Sequence, residues 1–199
     1  MIAADRKNAG FRSCLRLVLI VCLILVSGIA AVLPAVAQGD GDSSAIESRV
    51  KAAFLYKFAN YVEWPDGLFP QPSSPITIGV SGADSLKDEL AGMVVGRLVN
   101  DRPIIVKNVR TGDSLSGINI LFIARDESSL LPQLVQSAQS RSILTVTESE
   151  RALAQGSVIN FVMSDGHVHF EISLQSADKS KLKLSSRLLA VAQQVTGTP

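Results

Sequence analysis

The stretch Ile118-Asn119-Ile120-Leu121-Phe122-Ile123-Ala124 is apolar at six of its seven positions. A strand buried on one face alternates apolar with polar residues, whereas a strand apolar throughout is covered on both faces. That is the condition inside a parallel sheet. Shorter runs of the same kind stand at Ile76 to Val80, Ile104 to Val106 and Ile143 to Thr147, and a further short strand is expected around Val94 to Val99. Helical spacing separates them at Ser85 to Ala91 and Ser128 to Ser140, the latter with Pro132 in its first turn, where a missing N–H is harmless. The alternation predicts a single-domain α/β sandwich, a mixed and mostly parallel sheet with helices on both faces.

Towards the C-terminus the pattern changes. Val158 to Met163 and His167 to Ile172 flank Ser164-Asp165-Gly166, and an Asp-Gly step favours the tight turn of a hairpin. Lys181 to Leu184 reads as a short extended segment. Ser185 is placed to cap a terminal helix, Ser186 to Val195, whose inward face would carry Leu188, Leu189, Ala192 and Val195.

Towards the N-terminus, Ile46, Val50, Phe54, Phe58 and Val62 recur every four residues, with Ala53 and Tyr61 beside them. This predicts an amphipathic helix from Ile46, with Ser44 and Glu47 spaced as a capping box and Pro65 as its stop. Four of the eight prolines (Pro65, Pro70, Pro72, Pro75) then mark a loop that cannot enter a sheet interior. Residues 38–45 form a Gly/Asp/Ser-rich leader, expected to be flexible.

Ahead of the leader, Arg6, Lys7, Arg12 and Arg16 precede an apolar run from Leu17 to Leu33, followed by Ala35-Val36-Ala37. A basic start, an apolar centre and a small-x-small site describe a secretory signal peptide over residues 1–37; the alternative is an uncleaved N-terminal membrane anchor. The 199-residue chain carries 19 basic and 18 acidic side chains. Four basic and one acidic lie before the cleavage point, so the exported part carries 15 and 17, net −2. Such a balance lacks the concentrated basic surface that nucleic acid requires. Both cysteines, Cys14 and Cys22, fall in the leader, which leaves the exported chain without a thiol, disulfide or thiolate metal site.

Three constellations bear on chemistry. Five of the ten aromatic residues (Phe54, Tyr56, Phe58, Tyr61, Trp64) lie within eleven positions; Phe54, Phe58 and Tyr61 read as core. Tyr56 lies on the other side of the helix beside Asn60 and Glu63 and is expected to stay exposed. With Trp64, either a cap over the helix end or an interaction anchor, these make a candidate partner-binding set of Tyr56, Asn60, Glu63 and Trp64. Asp165, His167, His169 and Glu171 share one strand face. Two imidazoles and a carboxylate can ligate a metal, but no further histidine completes a set, and the solvent face of a half-buried strand needs the same alternation; no metal site is expected. Glu171 with Lys179 and Lys183 forms a candidate ligand-binding set for a small zwitterion or phosphate, with surface ion pairs as the alternative. The turn Gly79-Val-Ser-Gly82 could offer N–H groups to an anion, yet it lacks the glycine spacing of a dinucleotide site and the lysine of a phosphate loop. No Gly-x-Ser-x-Gly elbow is present. Neither catalytic residues nor a cofactor are expected.

Lys51-Ala-Ala-Phe-Leu-Tyr-Lys-Phe-Ala-Asn-Tyr-Val-Glu-Trp-Pro65 resembles the opening signature of the periplasmic YfiR-type proteins. Ile76-Thr-Ile-Gly-Val80, Ile118-Asn-Ile-Leu-Phe-Ile123, Ile143-Leu-Thr-Val146, Gly156-Ser-Val-Ile-Asn-Phe161, Phe170-Glu-Ile172 and Leu184-Ser-Ser-Arg-Leu-Leu-Ala190 are similar to that family in order and spacing, so that residues 46–199 would form one domain of this type. The resemblance implies a non-catalytic periplasmic protein. It would bind the periplasmic sensor region of a membrane diguanylate cyclase, hold cyclic di-GMP low and restrain biofilm formation. It further implies a homodimer and release through an outer-membrane lipoprotein partner. Other relatives sit beside sensor kinases or outer-membrane receptors, so a small-ligand-binding protein serving a sensor kinase or transport system is the alternative. Two departures stand out. The family's usual cysteine sites are filled otherwise, for instance by Ile118, which removes thiol-based redox sensing; and the family's Phe-Glu-Ile-Asn becomes Phe170-Glu-Ile-Ser173.

Overall fold

The computed structural model describes residues 39–197; the expected signal peptide at residues 1–37 lies outside them. Helix α1 (Gly39–Tyr61) runs into β1 (Val62–Glu63) and the proline-rich loop, followed by β2 (Ile76–Ser81), α2 (Asp84–Val94), β3 (Leu98–Val99) and β4 (Arg102–Asn108). Next come β5 (Ile120–Ile123), a 3-10 turn (Arg125–Leu130), α3 (Leu131–Gln139) and β6 (Leu144–Thr147). The chain closes with β7 (Ile159–Ser164), β8 (His167–Ser173), α4 (Leu174–Lys179), β9 (Lys183–Leu184), α5 (Ser186–Ala190) and β10 (Gln194–Thr196).

Eight strands form one sheet in the order β10-β8-β7-β6-β5-β2-β4-β3; β1 and β9 pair separately as a two-stranded ribbon. Only the β7–β8 hairpin and the β3–β4 edge are antiparallel within the large sheet. The fold is therefore α/β with a mixed, mostly parallel sheet. Strand β5 shows why its sequence is continuously apolar. Ile120 and Phe122 face a core built with α1 and α2, while Leu121 and Ile123 face a second core built with Leu131, Val135 and Ala138 of α3. Ile118 is buried in that second core and fills it with hydrocarbon. Gly79 of β2 faces the same side, and a Cβ there would stand 2.8 Å from Val109 Cγ2.

The hairpin forms as its turn chemistry requires. Asp165 and Gly166 take φ of 51° and 74°, and β7 and β8 pair from Ile159↔Ile172 to Ser164↔His167. The N-terminal helix begins at Gly39, so the leader expected to be flexible over 38–45 is helical from its second residue. The buried stripe of α1 also differs from the expected one. Spacing by four advances the helix about 40° beyond a full turn at each step, which takes Ile46 about 160° away from Val62. Ile46 is accordingly 60% exposed, and the buried face is Lys51, Ala52, Leu55, Phe58, Ala59 and Val62. Phe54 and Phe58 meet Phe161 and Phe170 of the hairpin with ring centroids 5.1–6.0 Å apart.

The terminal helix ends at Ala190 rather than Val195. Ser185 caps it as expected, its Oγ accepting from Leu188 N at 3.3 Å. The following Gln194–Thr196 instead pairs in parallel with β8, because β-branched Val195 and Thr196 suit a strand and the edge of β8 offers unpaired backbone groups. Ser173 ends β8 immediately before α4. Its Oγ accepts from Ser176 N at 3.2 Å and caps α4, a role that asparagine and serine fill equally well.

Candidate functional site

The order of connections places one crevice in the sheet. From β2 the chain crosses by α2 to β4 on one side, and from β5 it crosses by α3 to β6 on the other; α2 and α3 lie on opposite faces. The connections diverge between β2 and β5. In open α/β sheets, ligands bind outside the carboxyl ends of the strands at such a point. Here Ser81, Ile123 and Thr147 stand level in register, so Ala83, Arg125 and Glu148 follow them at the rim. Together with Glu47, Ser48 and Lys51 of α1, they line a cleft of about 360 Å³.

Lys51 is the most unusual residue of the cleft. Its side chain is 7% exposed, and its ammonium is paired with the carboxylates of Glu47 and Glu148. Glu148 is itself anchored, since its Oε1 accepts from Arg125 N at 3.1 Å while Arg125 Nε donates to the Glu148 carbonyl at 3.4 Å. A buried lysine needs such compensation, because an isolated charge away from water is prohibitive. The arrangement clamps α1 to the strand ends and presents charge of both signs to the cleft. The Gly79–Gly82 turn opens nearby but offers no cradle for an anion. A Cβ on Gly82 would stand 2.6 Å from Glu127 Cγ, so an acidic side chain already packs against it.

A second cleft, of about 420 Å³, opens at the other end of the strands, beside Ile76 and Arg102. Glu63, Trp64, Asp66, Phe69 and Asn100 line it as well. Trp64 meets Phe69 edge to face at 5.8 Å, and the Arg102 guanidinium lies 4.1 Å from the Phe69 centroid. The Trp64 Nε1–H is buried with no acceptor among the described residues, an omission that costs about 1–3 kcal/mol.

The candidate partner-binding set is divided by the fold. Glu63 and Trp64 line this second cleft. Asn60 is exposed and donates to Tyr56 O at 3.4 Å. Tyr56, expected to stay exposed, is half-buried: α2 packs along α1, and Arg97 from the turn after α2 lies 5.4 Å from its ring centroid. Of the candidate ligand-binding set, Glu171 is half-buried on β8, between β7 and β10. Lys179 ends α4, and Lys183 stands on β9 opposite Glu63. Glu171 and Lys183 thus belong to different sheets, and among the described residues no ion pair joins Glu171 to either lysine. His167 and His169 are exposed, and His167 Nδ1 lies 2.8 Å from the Asp165 carbonyl. Among the described residues, no group of three or more His, Cys, Asp or Glu could hold a metal ion.

Among the described residues two basic groups are shifted, exposed Arg49 and half-buried Lys87. Arg49 is raised by its hydrogen bonds to Glu89 across α1 and α2, and Lys87 is raised above 10.5 by hydrogen bonds to Asp84 and then Asp88. Neither lines the Lys51 cleft or the Trp64 cleft.

The sequence reading passed over Lys51, Glu47, Glu148 and Arg125 as site residues. Two signals pointed to them. Lys51 lies one turn before Leu55 on the buried stripe with Glu47 one turn earlier, and Glu148 is the first charged residue after a wholly buried strand.

No curated protein matches this chain. Among solved structures, a conserved domain protein from Vibrio cholerae O1 biovar El Tor is similar at 11% identity and a TM-score of 0.49, over 74% of this chain. This chain spans 60% of that protein's length. The YfiR/HmsC-like family profile matches residues 48–193, from the first core turn of α1 to the residue before β10. The chain belongs to the YfiR/HmsC-like family.

Proposed function

We propose that the protein is a non-catalytic periplasmic regulator that binds the sensor region of a membrane diguanylate cyclase and holds the enzyme inactive, lowering cyclic di-GMP and biofilm formation. The observation that carries this reading is the family match over residues 48–193, which takes in nine of the ten strands and every helix except the first turns of α1. Export rests on the basic, apolar and small-residue leader at residues 1–37; among the described residues no helix is long and apolar enough to cross a membrane. Glu63 and Trp64 at the second cleft would hold the partner, with Asn60 and Tyr56 one and two turns back along α1 outside that cleft. An outer-membrane lipoprotein that sequesters the regulator, and a homodimer as its working form, belong to the same proposal. The test is capture from envelope membranes with the exported chain as bait. Recovery of a diguanylate cyclase through its periplasmic domain supports the reading, and its absence from membranes known to contain one contradicts it.

A second reading is favoured by one observation, the cleft at the point where the connections diverge. Lys51, Arg125, Glu47 and Glu148 offer both charges to a small zwitterion there, which makes this cleft a better seat for a ligand than the separated Glu171, Lys179 and Lys183. A ligand that binds only the native state raises the melting temperature. A thermal-shift screen of amino acids and nucleotides that stays flat at millimolar ligand excludes it.

A further inference from the structure

Phe69 packs the proline-rich loop against the core, and hydrogen bonds fasten it at one place. Within it, Leu68 N donates to Pro65 O and Ser74 N to Gln71 O, and Gln71 N donates to Ser74 Oγ at 3.0 Å. These bonds shape the loop but do not attach it. Among the described residues, the hydrogen bonds that tie residues 65–74 to the rest of the chain both come from Arg102, whose Nη1 donates to Gln71 O at 2.8 Å and to Ser74 O at 3.0 Å. The same guanidinium lies 4.1 Å from the Phe69 centroid, and Phe69 in turn stands edge-on to Trp64. Gly67, with φ of +82° and open space where a Cβ would be, sits between Trp64 and Phe69 as a permissive joint. Three prolines beyond it stiffen the rest of the loop into one body.

We propose that this loop is a latch, pinned by Arg102, which holds Trp64 half-buried with its indole N–H covered, and that its release presents the whole of Trp64 as the anchor for the partner. The inference rests on the reading of Trp64 as part of the partner-binding surface. The buried indole N–H is the observation that sets a direction. In the closed state this donor lacks an acceptor, so the covered arrangement withholds a hydrogen bond that a docked carbonyl or carboxylate would restore. Tryptophan combines a large apolar area with one donor, which suits it to an interface centre. Glu63 and Asp66 line the same cleft and give the guanidinium other acceptors once the loop carbonyls leave it. A site that is covered most of the time binds with an affinity lowered by its open fraction, so loosening the pin should tighten binding.

The chain contains a single tryptophan, which makes the test direct. Acrylamide quenching and the lone indole N–H resonance are to be followed in the exported chain and in Arg102→Ala, Arg102→Lys and Phe69→Ala, with far-ultraviolet circular dichroism as the check on folding. Arg102→Ala should steepen quenching severalfold, shift emission to the red and speed exchange of the indole proton. Arg102→Lys, which keeps the charge but loses the planar fork, should do the same in large part. Native quenching and a protected indole proton in Arg102→Ala overturn the latch; should that variant not fold, the same result in Arg102→Lys overturns it. Binding to the cyclase periplasmic domain forms the second arm. Trp64→Ala should abolish it and Arg102→Ala should strengthen it. An opened loop with unchanged binding in both variants overturns the latch as a control on the partner, whereas a wild-type chain that binds no cyclase domain overturns the proposed function while leaving the quenching result standing.

Discussion

Replacing Lys51 by methionine keeps the length and packing of the side chain and removes its charge. The Lys51 side chain is 7% exposed, and its ammonium pairs with Glu148, whose side chain is 16% exposed, and with the more open Glu47, at 36%. Removing one member of a buried pair costs about 3–5 kcal/mol, because the remaining charge is left uncompensated. Glu148 retains the Arg125 N–H and some contact with water, which brings the expected loss to about 2–4 kcal/mol. For a domain of this size, that corresponds to a fall in Tm of about 5–12 °C. Glu148→Gln in the same background removes the stranded charge, so the double variant should be more stable than the sum of the single losses predicts, by about 1 kcal/mol or more. Urea unfolding of the four proteins, followed by circular dichroism, gives the cycle. A Lys51→Met variant within about 0.5 kcal/mol of wild type would refute the reasoning, since that is the range of an ordinary surface substitution.

The remaining predictions concern packing, capping and pH. Phe58→Ala should cost about 3–5 kcal/mol in urea unfolding, because its ring is buried between α1 and the hairpin against Phe161 and Phe170. Ser173→Ala should cost about 1 kcal/mol and Ser173→Asn close to nothing, as read by Tm, because either polar side chain caps α4. Lys87 titrates above 10.5 in the folded chain, so the stability from its bonds to Asp84 and Asp88 is fully present below the unfolded value and is lost as pH rises through the folded one. The difference between wild type and Lys87→Met in urea midpoint should therefore stay constant from neutrality to pH 9 and shrink only beyond 10.5. A difference that changes near neutrality would contradict the assignment.

Much of the fold was legible because burial on two faces leaves an unmistakable pattern. Strands β2, β5 and β6 are buried at every position, β5 being apolar throughout and β2 and β6 mixing in only small residues and threonine, and the Asp165-Gly166 turn specifies the hairpin through its backbone. The features that escaped depend on partners distant in sequence. β10 forms because β8 leaves an edge beside it, which local propensity does not reveal. The stripe of α1 was drawn through Ile46 since apolar spacing cannot say where the core ends. Lys51 shows the same limit at the site. A charge on a buried stripe has no evident use until Glu148, ninety-seven residues on, arrives beside it. Trp64 reads from the sequence as cap or anchor, and in the structure it is half-buried against Phe69 with an indole N–H that has no acceptor among the described residues. The exposure of His167 and His169, by contrast, follows from strand alternation alone.

The claim that this chain works by holding a membrane cyclase inactive is tested most directly by measuring intracellular cyclic di-GMP in a strain that expresses the gene, in its deletion, and in the deletion complemented with wild type or Trp64→Ala. The account predicts a rise on deletion, reversed by the wild-type gene and not by the variant. Equal levels in the expressing strain and its deletion would contradict it.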